Sequence, residues 1–317
     1  MIRFGEAATE ADREAEALIA AVPGLAEREL RYRPLCPDVI SPMHRGVESA
    51  LWLLRAPGTP DRVLKALRPD MRAEFDARSA VAAAYAAGEA GIGPQVLWAD
   101  ETAGALVMEH LGEGWRTATL ADLQDAGIHA TVLDAAGRLH EVAADVRRHD
   151  IFAEIRDLLA RAAAAGVALP SDNWWLADCA ARVEAALAGR DLPQAFCRND
   201  GVSSNIMLGP GGSVRLLDYD RAGLNDPLYD LGVLLTETCA FETELAARLP
   251  HGLGRAALER CVLYGAMDDL MWALWSALQA VRSPRVHVEF RKYAEWRFLR
   301  CRTTLLDRRF EERLRQV

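Results

Sequence analysis

The segment from Cys197 to Glu237 reads CRNDGVSSNIMLGPGGSVRLLDYDRAGLNDPLYDLGVLLTE. Two short apolar runs, NIML and VRLLDY, flank the turn sequence GPGG, and this pattern predicts a β-hairpin. Asp200 and Asn205 stand five residues apart before the hairpin, and Asp218 follows the apolar part of its second run. The spacing therefore predicts that Asp200 lies on a loop and that Asp218 is delivered at the tip of a strand.

This arrangement of oxygen-bearing side chains is what phosphoryl transfer to a hydroxyl requires. One carboxylate accepts the hydroxyl proton, while an amide oxygen and a second carboxylate hold Mg²⁺ against the nucleotide phosphates. Asn and Asp also occupy ordinary turns, where their side chains bond backbone amides, and Asn199 and Asn225 taken singly fit that interpretation equally well. The complete set, which also contains Asp220 and Asp230, is better explained by a phosphotransfer site.

Length and composition narrow the class of protein. The chain has 317 residues and a formal net charge of −9, which predicts two domains or one two-lobed unit and argues against a nucleic-acid partner. Six cysteines are scattered without a C-x-x-C pair, so zinc and redox sites are not expected. No signal peptide and no run of ~18 apolar residues is visible, so we expect a cytoplasmic protein without membrane contact.

The pattern along the chain predicts a small β-rich lobe followed by a larger helical lobe. Residues 29–69 and 94–111 contain short extended runs that predict five strands, and an Ala-rich helix from Met71 to Glu89 lies between them. Further helices are predicted at roughly 121–141, 150–166 and 174–189, and again from Leu228 to the end.

The motif CRNDGVSSN resembles the catalytic loop of the aminoglycoside phosphotransferase and choline kinase superfamily. The run LLDYDRAGLNDPLYDLGVLLTE resembles the choline kinase motif in particular. This resemblance implies an α+β, bilobal, protein-kinase-like fold. It places a nucleotide-binding lobe at residues 1–108 and a catalytic, acceptor-binding helical lobe at residues 109–317.

The resemblance also implies roles for individual residues. Asp200 would be the catalytic base, and Asn205 and Asp218 would bind Mg²⁺. Asp220 would assist at the metal or the phosphates. Asp230 would anchor the catalytic loop through backbone amides.

Two positions depart from the family pattern. Arg198 stands where the family usually has His, which bears on the geometry of the catalytic loop. Asp220 stands where the choline kinase branch usually has Glu, and the shorter side chain bears on its reach to the metal.

Lys65 is the expected phosphate-binding cation. The chain contains only two lysines, Lys65 and Lys292, among its 37 basic residues, and Lys65 lies in the apolar run VLKAL. A kinase fold needs a cation there for the α- and β-phosphates, although a lysine on an edge strand would face solvent. Its acidic partner is left open: Glu74 and Asp76 are candidates, but the usual position falls near Ala80, and either acid could instead favour a helix N-terminus.

Two further segments are expected to contact the nucleotide. The stretch SPMHRGVES at 41–49 lies between predicted strands, where Gly46, Ser49 and nearby backbone amides could cap a phosphate. The stretch VMEHL resembles the adenine-binding hinge, so the main chain from Glu109 to Leu111 is expected to bind the base.

The expected acceptor site is on the C-terminal helices. Aromatic residues three apart share a helical face, and acidic neighbours would favour a cation held by cation–π attraction; the residues are Trp272, Trp275, Tyr293, Trp296, Asp268 and Asp269. Aromatics at this spacing are also common in helical cores.

The sequence therefore predicts an ATP- and Mg²⁺-dependent small-molecule kinase. Its acceptor would be a hydroxyl of a small cationic compound of the choline or ethanolamine kind. An aminoglycoside-type or other metabolite phosphotransferase is the alternative within the enzymes. A non-catalytic nucleotide-binding relative is the alternative of another class.

Overall fold

The computed structural model describes residues 1–26, 28–41, 44–239 and 241–317. In these residues, the strands are β1 (Ile2–Arg3), β2 (Arg31–Pro34), β3 (Ser49–Arg55), β4 (Arg62–Leu67), β5 (Val96–Asp100), β6 (Ala105–Glu109), β7 (Arg116–Thr117), β8 (Ala195–Cys197), β9 (Ile206–Leu208), β10 (Val214–Leu216) and β11 (Gly223–Asn225). The helices are α1 (Glu10–Ala21), α2 (Ala77–Glu89), α3 (Leu120–Gln124), α4 (Ala126–His140), α5 (Ile151–Ala164), α6 (Asn173–Leu187), α7 (Pro227–Thr238), α8 (Glu242–Arg248), α9 (Arg255–Arg282), α10 (Phe290–Leu305) and α11 (Phe310–Gln316).

A six-stranded antiparallel sheet has the order β1-β2-β3-β4-β6-β5 and confirms the five strands predicted in this region. Lys65 pairs with Leu51 of β3 on one side and Leu106 of β6 on the other, so it lies on a central strand. Because successive side chains of a strand point to opposite faces, Leu64 and Ala66 enter the hydrophobic core and Lys65 faces the other way.

Helix α1 covers the core face of this sheet. Ala15 and Ile19 are fully buried and belong to one cluster with Trp52 and Leu64 of the sheet. The helix begins where the sequence favours it, because Thr9 and Asp12 form a capping box.

The structure differs from the predicted elements at three places. β1 is an additional strand, too short to show a period in the sequence. Helix α2 begins at Ala77 rather than Met71, because the Asp76 side chain accepts a hydrogen bond from the Ser79 N–H and caps it. The helix predicted at 121–141 is split near Asp125, whose carboxylate accepts the N–H groups of residues 127 and 128.

The C-terminal helices pack around α9, a helix of 28 residues that is buried along most of its length. Two glycines permit α7 and α9 to approach closely. A Cβ on Gly232 would lie 2.5 Å from the backbone oxygen of Cys261, and one on Gly265 would collide with Thr236. These helices could not pack at this distance with larger side chains at those two positions.

The chain divides into two compact units. The first contains residues 1–118, 130–147 and 204–222, and the second contains residues 119–129, 148–203 and 223–317. The lobe boundary near Glu109 stays a prediction. Among the helices of the described ranges, none combines the length and the apolar character that a membrane crossing requires.

Candidate active site

In the first unit, Lys65 lies between two carboxylates. Its Nζ is 2.8 Å from Asp218 Oδ1 and 2.7 Å from Asp220 Oδ1, and Ser49 donates a hydrogen bond to Asp220 Oδ2 at 3.2 Å. The structure thus brings together Lys65, Ser49, Asp218 and Asp220. It also answers which acids pair with Lys65: they are Asp218 and Asp220, whereas Asp76 caps α2.

The hairpin predicted around GPGG is confirmed and positions the acids. β9 and β10 pair antiparallel, with Leu216 opposite Ile206, and the Leu217 N–H donates to the Asn205 carbonyl at 2.8 Å. Asn205 and Asp218 therefore lie at the same end of the hairpin, as a shared site requires.

Asp218 has a strained backbone, with φ of +62°. This conformation costs a residue other than glycine roughly 1–2 kcal/mol, and such strain is concentrated at functional sites. The Asp220 N–H donates to Asp218 Oδ1 at 3.3 Å and helps to fix that carboxylate beside Lys65.

The two carboxylates differ in their affinity for a proton. Burial opposes the ionisation of both groups, but the Lys65 ammonium outweighs it at Asp218 and lowers the pKa of that carboxyl. At Asp220, burial and the Asp218 charge prevail and raise the pKa to about 6. Burial disfavours the Lys65 charge, but the two carboxylates overcome this effect and raise the pKa of Lys65 above its ordinary value.

In the second unit, the loop after β8 is held by Asp230 of α7, the anchoring role expected for this residue. Its carboxylate accepts the Arg198 N–H at 2.9 Å and the Asn199 N–H at 2.6 Å. Asn199 has a φ of +58°, and its side-chain oxygen accepts a hydrogen bond from Asn225 Nδ2 at 2.8 Å. Asn199 and Asn225 therefore act together as a brace, a contact that their sequence positions did not reveal.

Asp200 follows this brace and is partly buried. Its Oδ1 accepts the Val202 N–H at 2.9 Å, which sets the orientation of the carboxylate. Gly201 lies against α7, since a Cβ there would be 2.5 Å from the Val233 carbonyl carbon. A larger residue next to Asp200 would thus push the loop away from the helix.

The aromatic residues proposed for the acceptor differ in exposure. Trp272 and Trp275 are 5% and 2% exposed and meet edge to face, with ring centroids 5.2 Å apart. Tyr293 is 7% exposed and its hydroxyl contacts Arg297, whereas Trp296 is 55% exposed. Their role in acceptor binding stays a prediction.

Residues 39–270 match the family model described as a phosphotransferase enzyme family. The chain belongs to this phosphotransferase family. The match includes Lys65 and the whole segment from Asp200 to Asp230.

Choline and ethanolamine kinases are among the proteins that this chain resembles. The chain is 28% identical to ethanolamine kinase 2 of Rattus norvegicus over 221 residues, which is 61% of this chain and 54%, about half, of that relative. The crystal structure of a choline/ethanolamine kinase family protein from Mesorhizobium loti is 30% identical, with a TM-score of 0.78 over 96% of this chain and 98% of that one. The crystal structure of choline kinase LicA from Streptococcus pneumoniae and a crystal structure of LicA in complex with AMP are both 16% identical to this chain. They cover 94% of this chain and 99% of theirs with TM-scores of 0.75 and 0.74, and they show the shared fold. The α+β, kinase-like fold class is thereby confirmed.

The donor set near the hairpin fits a magnesium ion. Asn205, Asp218 and Asp220 offer amide and carboxylate oxygens, the ligands that Mg²⁺ prefers, and all three belong to the first unit. In a phosphotransferase these residues would hold the metal, which neutralises phosphate charge. That assignment stays a prediction.

The remaining nucleotide-binding candidates also lie in the first unit. Gly46 has a φ of +61° and accepts a hydrogen bond from Arg68 Nε at 3.1 Å. Pro42 and Met43 of the same predicted loop lie outside the described residues. Glu109 ends β6, where its N–H donates to the Gln95 carbonyl at 2.9 Å and its Oε1 accepts the Gln95 N–H at 2.9 Å. The role of Glu109 and Leu111 in binding the base stays a prediction.

Sequence reasoning missed two arginines beside the expected acceptor acids. Asp269 is fully buried and is held by Arg297 and Arg300, at 2.8 Å and 2.5 Å. Asp268 accepts the Tyr229 hydroxyl at 2.9 Å and lies 3.6 Å from Arg297. The negative charge expected to attract a cation is therefore largely balanced within the protein, and a role for Asp269 in acceptor binding stays a prediction. These contacts could not be predicted from the sequence, because the arginines come some 28 residues after the acids of α9 and no spacing rule connects them.

Asp220→Asn is expected to stabilise the phosphotransferase when nucleotide and Mg²⁺ are absent. Because the folded pKa of Asp220 is about 6, above the ordinary 3.8, the folded state binds this proton more tightly than the unfolded state. The stability that this bound proton gives the folded state is therefore lost as the pH rises from about 4 to 6. Thermal unfolding at pH 7.5 should give a higher Tm for the variant than for the wild type, with the gap closing towards pH 4.5.

Asp218→Asn is the matched comparison, because the lowered pKa of Asp218 predicts the opposite sign. Its Tm should fall below that of the wild type at pH 7.5. Equal Tm changes for both variants would contradict the assignment of the two carboxylates.

Asp230→Asn is expected to lower the free energy of unfolding by about 2–3 kcal/mol. The substitution removes the negative charge that accepts two buried N–H groups, and hydrogen bonds to charged groups contribute roughly 1.5–3 kcal/mol. Urea denaturation measures the change, with the exposed Asp178→Asn on α6 as the control. A variant as stable as this control would show that the anchor contributes nothing.

Proposed function

We propose that this phosphotransferase transfers the γ-phosphate of ATP to the hydroxyl of a small cationic alcohol of the choline or ethanolamine kind. The observation that carries the proposal is a cluster of four side chains. In this Lys65 cluster, the Lys65 ammonium lies between Asp218 and Asp220, and Ser49 donates a hydrogen bond to Asp220. A cation beside paired carboxylates is the arrangement that binds a metal–triphosphate complex.

Within the first unit, the residues provide the nucleotide site. Lys65 would bind the α- and β-phosphates as a point charge, and Ser49 and the backbone near Gly46 would donate hydrogen bonds to phosphate oxygens. The main chain at Glu109 and Leu111 would hold the base. Mg²⁺, when bound by Asn205, Asp218 and Asp220, supplies charge neutralisation at the phosphates.

Within the second unit, Asp200 would act as the general base. The acceptor oxygen attacks the γ-phosphorus, the bond to the bridging oxygen of ADP breaks, and the hydroxyl proton passes to the Asp200 carboxylate. The hydrogen bond from the Val202 N–H orients this carboxylate. The Asp230 anchor and the brace of Asn199 and Asn225 keep the loop in place.

Two observations favour an acceptor of the choline or ethanolamine kind: the activities named for similar proteins, and the residues on one face of α9. Ethanolamine kinase 2 and the choline/ethanolamine kinase family protein are similar over much of this chain. Trp272 lies four residues after Asp268 on one face of α9, so a ring and a carboxylate face the same direction. A ring face attracts a quaternary ammonium by about 0.5–2 kcal/mol.

The decisive experiment is an acceptor panel with γ-labelled ATP and MgCl₂. Choline and ethanolamine should be labelled at the hydroxyl, and reactions without acceptor should release little phosphate. Transfer only to aminoglycosides would overturn the acceptor class and leave the kinase assignment standing. Failure to turn over any acceptor, despite ATP binding, would favour a non-catalytic nucleotide-binding protein.

Trp272→Leu is expected to raise the KM for choline about ten-fold with little change in kcat. The loss corresponds to about 1.4 kcal/mol of cation–π binding. Steady-state kinetics measure the effect, and Trp174→Leu, which removes a tryptophan that is 70% exposed on α6, is the control. An unchanged KM in a folded Trp272→Leu variant would exclude this ring from the acceptor site.

A further inference from the structure

Arg68 follows strand β4 and holds the loop that connects β2 to β3. Its Nε donates to the Gly46 carbonyl at 3.1 Å, and its backbone N–H donates to the Glu48 carbonyl at 2.9 Å. Its Nη2 lies 3.8 Å from Asp38 Oδ2, and the side chains of Arg68 and Asp38 are only 21% and 17% exposed. The rigid fork of donors on a guanidinium thus lets one side chain hold the loop at two separate points.

These two points lie on opposite arms of the β2–β3 loop. Val39 and Arg45 exchange backbone hydrogen bonds of 2.9 Å and 2.7 Å, which join the two arms. Asp38 precedes this bridge and Gly46 follows it. Gly46 has a φ of +61°, and a Cβ there would lie 3.0 Å from the Pro37 carbonyl oxygen. Because the arms touch at this position, the guanidinium fixes the loop as a whole.

The returning arm of the loop leads directly to the Lys65 cluster. Ser49, the first residue of β3, pairs with Leu67 of β4. Side chains two residues apart on a strand share a face, as do directly opposed residues on neighbouring strands, so Ser49 lies on the same face of the sheet as Lys65. Both side chains contact Asp220. Arg68 comes three residues after Lys65 on the same strand connection, so it sets where the loop stands relative to this ammonium.

We propose that Arg68 is a positioning residue of the nucleotide site. It holds the β2–β3 loop where Ser49 and the backbone near Gly46 reach the terminal phosphates of a nucleoside triphosphate, and it acts through the loop without contacting the nucleotide itself. A loop that is held in place before binding loses less conformational entropy when the ligand arrives. This inference rests on the proposed function, because it needs a triphosphate at the Lys65 cluster.

Two substitutions separate the charge of Arg68 from its two-point contact. Arg68→Met removes every side-chain donor, whereas Arg68→Lys keeps the charge but has a single ammonium for the two loop contacts. The bond from the backbone N–H to Glu48 survives in both variants. The loop also keeps the hydrogen bonds from Ser204 to the His44 carbonyl and from Arg45 to Thr117. Both variants should therefore fold.

The test compares ATP with AMP, which lacks the terminal phosphates. Isothermal titration calorimetry with MgCl₂ gives the Kd of each nucleotide for the wild type, Arg68→Met, Arg68→Lys and Gly46→Ala. Arg72→Met, at an exposed arginine four residues later, is the matched control. Steady-state kinetics on the same proteins should show a higher KM for ATP and little change in the KM for the acceptor.

In Arg68→Met we expect the Kd for ATP to rise about ten-fold and the Kd for AMP to stay within about two-fold of the wild-type value, the scale of one or two lost hydrogen bonds. Arg68→Lys should fall between the wild type and Arg68→Met. Gly46→Ala should show the same selective loss, because its Cβ would push the two arms apart.

Unchanged ATP binding in Arg68→Met, or equal losses for ATP and AMP, would overturn the inference and leave the proposed function intact. An Arg68→Lys variant that binds ATP as the wild type does would overturn the two-point contact. If Arg68→Met does not fold, Gly46→Ala decides by the same ratio of Kd values. A wild-type protein that binds no ATP would overturn the proposed function and this inference together.

Discussion

Asp200→Asn is expected to lower kcat by about 100-fold or more while the protein stays folded. The amide cannot accept the hydroxyl proton, and general-base help is typically worth ~10²–10⁴-fold. Folding should survive, because the Asn side-chain oxygen can still accept the Val202 N–H that Asp200 accepts at 2.9 Å. The KM for ATP should change little, since the proposed nucleotide contacts lie on other residues.

The measurement is steady-state turnover with the acceptor that the panel identifies. Asp191→Asn, at an exposed acid before β8 in the same unit, is the control for a general effect of lost charge. Near-normal turnover in a folded Asp200→Asn variant would remove Asp200 from the mechanism.

Asp218→Asn is the second substitution for which we expect a large effect. Turnover should fall by roughly 100-fold or more, and the Mg²⁺ concentration required for half-maximal activity should rise. Lys65 contacts two carboxylates, and Asp218 is the one that keeps its negative charge more readily. Its pKa is lowered, whereas that of Asp220 is raised. An amide offers Mg²⁺ a neutral oxygen in place of a charged one.

Asn is the substitution of choice at this position for a conformational reason. The φ of Asp218 is +62°, and Asn is among the few residues other than glycine that adopt this region readily. The backbone should therefore be retained, and a loss of activity would report on the carboxylate. A magnesium titration that matches the wild type would contradict the assignment of Asp218 as a metal ligand.

The structure shows how the catalytic loop is held although Arg198 departs from the family pattern. The family usually has His at this position, which bears on the geometry of the catalytic loop. The anchor to Asp230 uses the Arg198 backbone N–H at 2.9 Å, a donor that any residue except proline supplies. The loop is therefore held despite the altered side chain.

Much of the fold could be predicted because its determinants are local. Apolar runs of period two and turn residues such as GPGG predicted the strands and the hairpin, and helical periodicity predicted the long C-terminal helices. The boundaries that were wrong depended on caps. Asp76 and Asp125 could each have lain within a helix, and only their side-chain bonds to nearby N–H groups decided otherwise.

The candidate site divides in the same way. The sequence by itself determined the residue types and their spacing, from the single lysine in VLKAL to the Asp200, Asn205 and Asp218 series, because this chemistry demands particular side chains at short separations along the chain. Tertiary structure alone decided which charges meet. Lys65 contacts Asp218 across 153 residues, and Asp269 is neutralised by Arg297 and Arg300 from another helix. Such contacts depend on how buried helices and strands pack. Burial makes an unpaired charge costly, and the partner that satisfies it is selected by proximity in space, which local sequence does not encode.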